Sequence, residues 1–165
     1  MEAQKFTSRE YFKALKIVHI ALMAGIVFFA VIVFVLLQIL QEPFGTEEIN
    51  GILYYVVPVF VIAGVLASNF LFKARLKKSV VETGLKNKLD SYRSALIVKY
   101  ALIEGPAFFC IVSYQMTANT LFLVITIFLL VVFWTFRPTK EKAILELELD
   151  HDQRRIVENP DAYFE

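Results

Sequence analysis

Cysteine is nearly missing from this 165-residue chain: Cys110 is the only one, and it lies inside an apolar run. No intramolecular disulfide can form and no CxxC metal spacing exists. A lone thiol in such a run reads as a small buried or lipid-facing side chain. Histidine is almost as scarce, with His19 and His151 alone, and the 6 glycines are scattered, so no Gly-rich phosphate loop is present. No nucleophile stands beside a base in a recognisable catalytic motif. These absences lead to the expectation of a protein that is not an enzyme, holds no metal and needs no cofactor. The "DHD" at 150–152 is three adjacent residues in a charged stretch and reads as soluble surface.

Charge is missing selectively. Hydrophobic residues make up 58% of the chain and the mean hydropathy is +0.60, which places it in the membrane class. Four apolar segments stand out, near 17–41, 52–72, 94–116 and 119–136. Each is close to the roughly 20 residues a helix needs to cross the hydrocarbon. Open backbone groups find no partner in lipid, so these segments are expected to be helices. The expected fold is all-α: a polytopic membrane protein with a four-helix transmembrane domain over 1–136 and a charged cytoplasmic tail over 137–165. The mixed-charge N-terminal stretch leads into an apolar run too long for a signal-peptide core, so the first helix is expected to be retained.

The 17 basic residues are distributed with a strong bias. Lys5, Arg9, Lys13 and Lys16 precede the first segment. Lys73, Arg75, Lys77, Lys78, Lys86, Lys88, Arg93 and Lys99 occupy or border the second connection, and Arg137, Lys140, Lys142, Arg154 and Arg155 follow the fourth segment. The connection "QEPFGTEEING" and the turn at 117–120 carry none. By the positive-inside rule both termini and the middle connection are expected in the cytoplasm, with the lipid bilayer as first partner and no nucleic acid. Such one-sided charge argues against dual topology. The stretch 77–92 reads as a cytoplasmic extension of its neighbouring helices, able to contact anionic headgroups.

Small residues four apart recur at Ala21 and Gly25, at Gly64 and Ser68, and at Ala101 and Gly105. Such strips let neighbouring helices approach closely, within the bundle or between copies in a homo-oligomer or with a membrane-protein partner. Two strips belong to an internal echo: "ALKIVHIALMAGIVFFAVIVF" from Ala14 aligns with "ALIVKYALIEGPAFFCIVSY" from Ala95, matching Gly25 with Gly105 and Phe28–Phe29 with Phe108–Phe109. A tandem pair of helical hairpins is one reading and shared composition is the other. The fourth segment, which has no such strip, is expected to face lipid, with Trp134 at the interface. In the tail, Thr139 and Asp150 are placed to cap short helices, while "LELEL" alternates like a strand.

The conspicuous group is Glu104, within "ALIEGPAFF" and about ten residues into the third segment. At 1.5 Å per residue it lies on the order of 15 Å deep, where a bare charge is costly. The carboxyl is expected to be neutral, paired or turned to water or the bundle interior. Pro106 leaves the Leu102 carbonyl without its helical donor, so one reading has a protonated Glu104 donating to a freed carbonyl and another has it carrying a proton or cation. His19, shallower in the first segment, is the third candidate. Lys99, at the matching position of the echo, is expected to snorkel to the cytoplasmic interface.

"ALIEGPAFF" resembles the proton-carrying helix of rotary ATPase proteolipid subunits. The chain departs from that family in placing the carboxylate on the first helix of its hairpin, in lacking the Gly-rich packing helix, and in having Pro106 where a close-packed ring would be disturbed. Small multidrug transporters also carry a glutamate in a four-helix chain, but in the first helix and with a charge pattern that permits antiparallel pairing. The stretch from "YRSALIVKYALIEGPAFF" to "FRPTKEKAILELEL" is similar to an uncharacterised family of four-helix membrane proteins of Bacteroidota-type bacteria, which implies an inner-membrane protein and no particular activity. The function expected is a non-enzymatic accessory or assembly component, with a small proton- or ion-coupled transporter using Glu104 as the alternative.

Overall fold

In a computed structural model, residues 7–164 are described, so Lys5 lies outside the described residues. The chain is helical: α1 (Ser8–Leu40), α2 (Glu47–Val80), α3 (Leu85–Thr117), α4 (Thr120–Thr135), α5 (Lys140–Glu146) and α6 (His151–Glu158). Among the described residues there is no strand, only an isolated bridge between Thr7 and Tyr163. The "LELEL" stretch is α5 and the turn that follows it. Thr139 accepts from the Lys142 N–H and Asp150 from the Gln153 N–H, the N-caps of α5 and α6.

The apolar segments account for the C-terminal parts of α1 and α3 and the middle of α2. With 33, 34 and 33 residues, α1, α2 and α3 are each about 50 Å long, some 20 Å more than the hydrocarbon requires. These three are long and apolar enough to cross a membrane, whereas α4, with 16 residues, reaches the necessary length only together with α5, across a bend of 75°. Pro58 and Pro106 sit inside α2 and α3 without ending them. Proline is tolerated in apolar helices because neighbouring groups re-satisfy the freed backbone. Gly84, at φ +83°, makes the tight link from α2 into α3, a conformation that costs glycine nothing.

The chain divides into two compact units. The first contains 1–20, 70–99 and 137–165; the second contains 21–69 and 100–136.

The first unit is built around chain segments far apart in sequence. Its buried side chains include Tyr11, Phe12 and Leu15 of α1, Phe72 of α2, Leu89, Tyr92 and Leu96 of α3, and Ala143, Leu147, Val157 and Phe164 beyond α4. Residues 137–164, read from sequence as a charged tail, thus contribute apolar side chains to a core. Thr7 and Glu10 form a capping box: the Thr7 N–H donates to the Glu10 carboxylate at 2.9 Å and the Glu10 N–H donates to Thr7 Oγ1 at 3.3 Å. The Thr7 backbone N–H, with the Thr7 hydroxyl, holds the Glu10 carboxyl below the usual carboxylate range. The next two orphan donors of α1 are met from the other end of the chain, the Ser8 N–H by Ala162 O and the Arg9 N–H by Pro160 O, both at 3.0 Å. Ser8 Oγ also donates to Val157 O at 2.6 Å, and Tyr11 OH donates to Leu89 O at 2.6 Å.

In the second unit α3 is the centre. Half of its most apolar stretch is buried, against 17% for α1 and for α2. Phe108 meets Phe29 of α1 edge-on at 5.5 Å, Phe109 meets Phe60 of α2 at 5.1 Å, and Tyr100 lies 5.2 Å from Phe133 of α4. The Phe44 and Gly45 N–H groups donate to Gln115 O and Met116 O, satisfying carbonyls in the last turn of α3. Asn69 and Ser113 donate to the Val65 and Phe109 carbonyls of their own helices.

Candidate functional site

Two groups of residues hold chemistry, one in each unit. His19 belongs to the first unit, while Glu104 and Pro106 belong to the second.

Glu104 is half-exposed, and among the described residues its carboxyl makes no hydrogen bond or ion pair. The expected bond to a freed carbonyl is therefore not formed. The Leu102 carbonyl that Pro106 deprives of its donor lies against α2: a Cβ built on Gly64 would stand 2.9 Å from Leu102 O and 2.5 Å from Pro106 Cγ. No L-side chain fits at that distance. The proline ring is buried and packs onto Gly64, where the α2 backbone is bare. Pro106 thus serves α2–α3 packing, and Glu104, two residues earlier, points elsewhere on α3. Its i+4 neighbour is Phe108, whose ring meets α1.

The small-residue strips separate in the same way. Gly64 is at a close helix contact and Ser68 is fully buried, its hydroxyl donating to Val65 O at 2.8 Å. Ala21, Ala101 and Gly105 are exposed, and a Cβ on Gly25 or Gly105 would meet nothing within 4 Å. Of the three strips, that of α2 is the one used for close approach among the described residues.

The interior of the first unit holds a group that sequence reasoning did not assemble. His19 is 2% exposed and Lys99 is 7% exposed. The expected snorkelling of Lys99 does not occur, because its ammonium sits 4.1 Å over the Phe72 ring, an aromatic face that attracts a cation. The Phe72 ring stands edge-on to Tyr92 at 6.3 Å, and Tyr92 OH donates to Glu146 Oε2 at 2.6 Å. The Glu146 carboxylate attracts the Lys99 ammonium while Lys142 and Lys73 repel it, and Lys142 is within electrostatic range of His19. A buried ammonium thus receives an aromatic face and a carboxylate that is itself hydrogen-bonded. The one sequence signal for this arrangement is that His19 and Lys99 fall at matching positions of the echo. Phe72, Tyr92 and Glu146 come from three separate stretches and gave none.

This arrangement ties α2, α3 and α5 together within the first unit. Asp150, first residue of "DHD", is occupied as the cap of α6. No protein family, curated protein or solved structure matches this chain.

Proposed function

We propose that this chain is a bacterial inner-membrane protein that crosses the bilayer four times, with both termini and the α2–α3 connection in the cytoplasm. In this reading it acts as a non-enzymatic accessory or assembly component through its first unit. The observation that supports the reading is the partition of charge: of the 16 basic residues among those described, every one falls in the first unit and none in the second. The second unit carries four carboxylates, Glu42, Glu47 and Glu48 around the α1–α2 loop and Glu104. A basic unit and an apolar one within one chain form the pattern the positive-inside rule associates with cytoplasmic and membrane portions. At 16 residues α4 is about 24 Å long, enough for a slightly thinned bilayer, and Arg137 at its end suits the cytoplasmic interface.

The transporter reading has a specific observation of its own, the Glu104 carboxyl left, among the described residues, without a hydrogen bond in the middle of a proposed span. Carbodiimide labelling in membranes across pH, with Glu104→Gln as control, separates the two. The accessory reading expects Glu104 to stay unlabelled while exposed carboxylates such as Glu141 react, and expects cross-linked complexes of the chain to persist in Glu104→Gln. Labelling at Glu104 that falls as pH rises, together with loss of function in Glu104→Gln, would put the transporter ahead.

A further inference from the structure

Where α1 and α3 end and α4 begins, the second unit holds a cavity of about 490 Å³. That volume lies within the range of small-molecule sites. Gln38, Gln41, Glu42, Tyr114 and Thr120 supply its polar lining, and Phe34 and Leu37 give it an apolar wall. Among the described residues, none of these polar side chains makes a hydrogen bond or ion pair. Tyr114 is the informative one, because it is only 3% exposed and a phenol so deeply buried ordinarily finds a partner. The accessible remainder of Tyr114 includes its hydroxyl oxygen, so that group can be satisfied from the cavity.

The helix ends set the sign of the charge that is welcome there. Gln41, at φ +59°, and Ala118, at φ +53°, turn the chain away just past α1 and α3, and their N–H groups return to Leu37 O and Tyr114 O at 2.9 and 2.8 Å. Neither helix has a basic residue in its last turn, so the partial negative charge of each C-terminus stands without a side-chain cation. The N-terminus of α4 is also here, and part of its positive end is taken up by Asn119, whose side chain accepts from the Leu121 N–H. Glu42 adds a full negative charge, and the second unit contains no Lys, Arg or His. An anionic ligand therefore has no cationic side chain to meet in this unit, whereas a cation has a carboxylate, hydroxyls and amide oxygens.

We infer that this cavity binds a small primary amine in its ammonium form, with the N–H groups donating to the Glu42 carboxylate, the Tyr114 hydroxyl and a glutamine amide oxygen. The apolar body of the amine lies against Phe34 and Leu37. A primary ammonium brings three donors and no acceptor, and a carboxylate offers acceptors alone. The bond to Glu42 is charged on both sides and is the strongest of the set. A quaternary ammonium carries the charge but has no N–H to give. A bare metal cation has no use for the apolar wall. The cavity is distinct from the carboxyl within the span, since Tyr114 follows Glu104 by ten residues, about 15 Å along α3. Binding there requires no particular side of the membrane and so does not depend on the proposed topology.

Isothermal titration calorimetry of the full chain in detergent, against empty micelles as blank, tests this with phenethylammonium as the probe. Phenethylammonium is expected to bind about tenfold more tightly than 3-phenylpropanol or its own trimethylated analogue, the worth of one charge-assisted bond. The anion 3-phenylpropionate is expected not to bind. Glu42→Gln should weaken the amine about tenfold, to the level of the alcohol, and Tyr114→Phe, which keeps the ring in place, should weaken it severalfold. Glu47→Gln removes the same charge from the same loop outside the cavity, and should change the affinity less than about twofold in physiological salt. Circular dichroism and thermal unfolding report that each variant is folded. Equal affinity of the wild type for the amine and the alcohol, or for the amine and its trimethylated analogue, would overturn the proposal. A loss in Glu47→Gln as large as in Glu42→Gln would replace the site by diffuse charge and overturn it as well. Displacement of phenethylammonium by calcium chloride, but not by sodium chloride of equal ionic strength, would assign the cavity to an inorganic cation instead.

Discussion

Phe72→Ala is expected to destabilise the first unit by about 3–5 kcal/mol, the range for emptying a buried aromatic site. The ring is 4% exposed, carries the Lys99 ammonium on its face at 4.1 Å and stands beside Tyr92. Its removal opens a cavity and also takes from a buried ammonium the aromatic surface that compensates its lost hydration. The damage should spread to residues 137–164, because Tyr92 holds α5 through Glu146. Limited trypsin digestion of the detergent-solubilised protein measures it: cleavage around Lys140, Lys142, Arg154 and Arg155 should accelerate by about two orders of magnitude or more at that loss. Phe72→Leu keeps volume but not the ring face, and should fall between. Unchanged digestion of Phe72→Ala would mean that residues 137–164 are not held by this core.

Gly64→Ala should have the second large effect, about 1–3 kcal/mol as an overpacked contact, with a bulkier side chain worse. The added methyl would need to occupy a point 2.5 Å from Pro106 Cγ and 2.9 Å from Leu102 O, so α2 must move away from α3. Helices in lipid associate largely through such close packing, and little else replaces it. Pro106→Ala provides the internal check. Removing the ring clears the nearest obstacle and returns a helical donor to Leu102 O, so Gly64→Ala with Pro106→Ala should lose less than the two single changes added together. Thermal unfolding in detergent reads all three. Strict additivity would show that the two residues do not meet. By contrast Gly25→Ala and Gly105→Ala should be nearly neutral within the chain, since a Cβ at either position has open space.

The sequence was informative where physics is local. Apolar length marked α1, α2 and α3 as long and apolar enough to cross a membrane, and Thr139 and Asp150 announced α5 and α6 by the side chains they offer to free backbone donors. "TSRE" at 7–10 carries an equally local signal, the capping box that starts α1, and fixes that start well ahead of the apolar run. What could not be read is long-range. The bonds from Ser8 and Arg9 to Ala162 and Pro160 join the two ends of the chain, and no periodicity within either end encodes them. Lys99 misled for a related reason: a lysine near the end of an apolar segment ordinarily reaches water, and Phe72, 27 positions earlier, with Glu146, 47 positions later, gives this one a reason not to. Among the small residues, spacing alone could not separate Gly64 from Gly25 and Gly105, because the distinguishing feature is the proline ring on another helix.

The account stands or falls on the first unit lying wholly on one side of the membrane, because three distant segments must meet there. Single cysteines at exposed positions, Lys13→Cys, Asn87→Cys and Asp152→Cys for the first unit and Glu47→Cys for the α1–α2 loop, can be probed in intact cells with an impermeant maleimide. The expected result is labelling of Glu47→Cys alone, with the other three reacting only after the membrane is opened. If Asp152→Cys is labelled from outside while Asn87→Cys is protected, α4 does not span, residues 137–164 cannot pack against α1 and α3, and the account is contradicted.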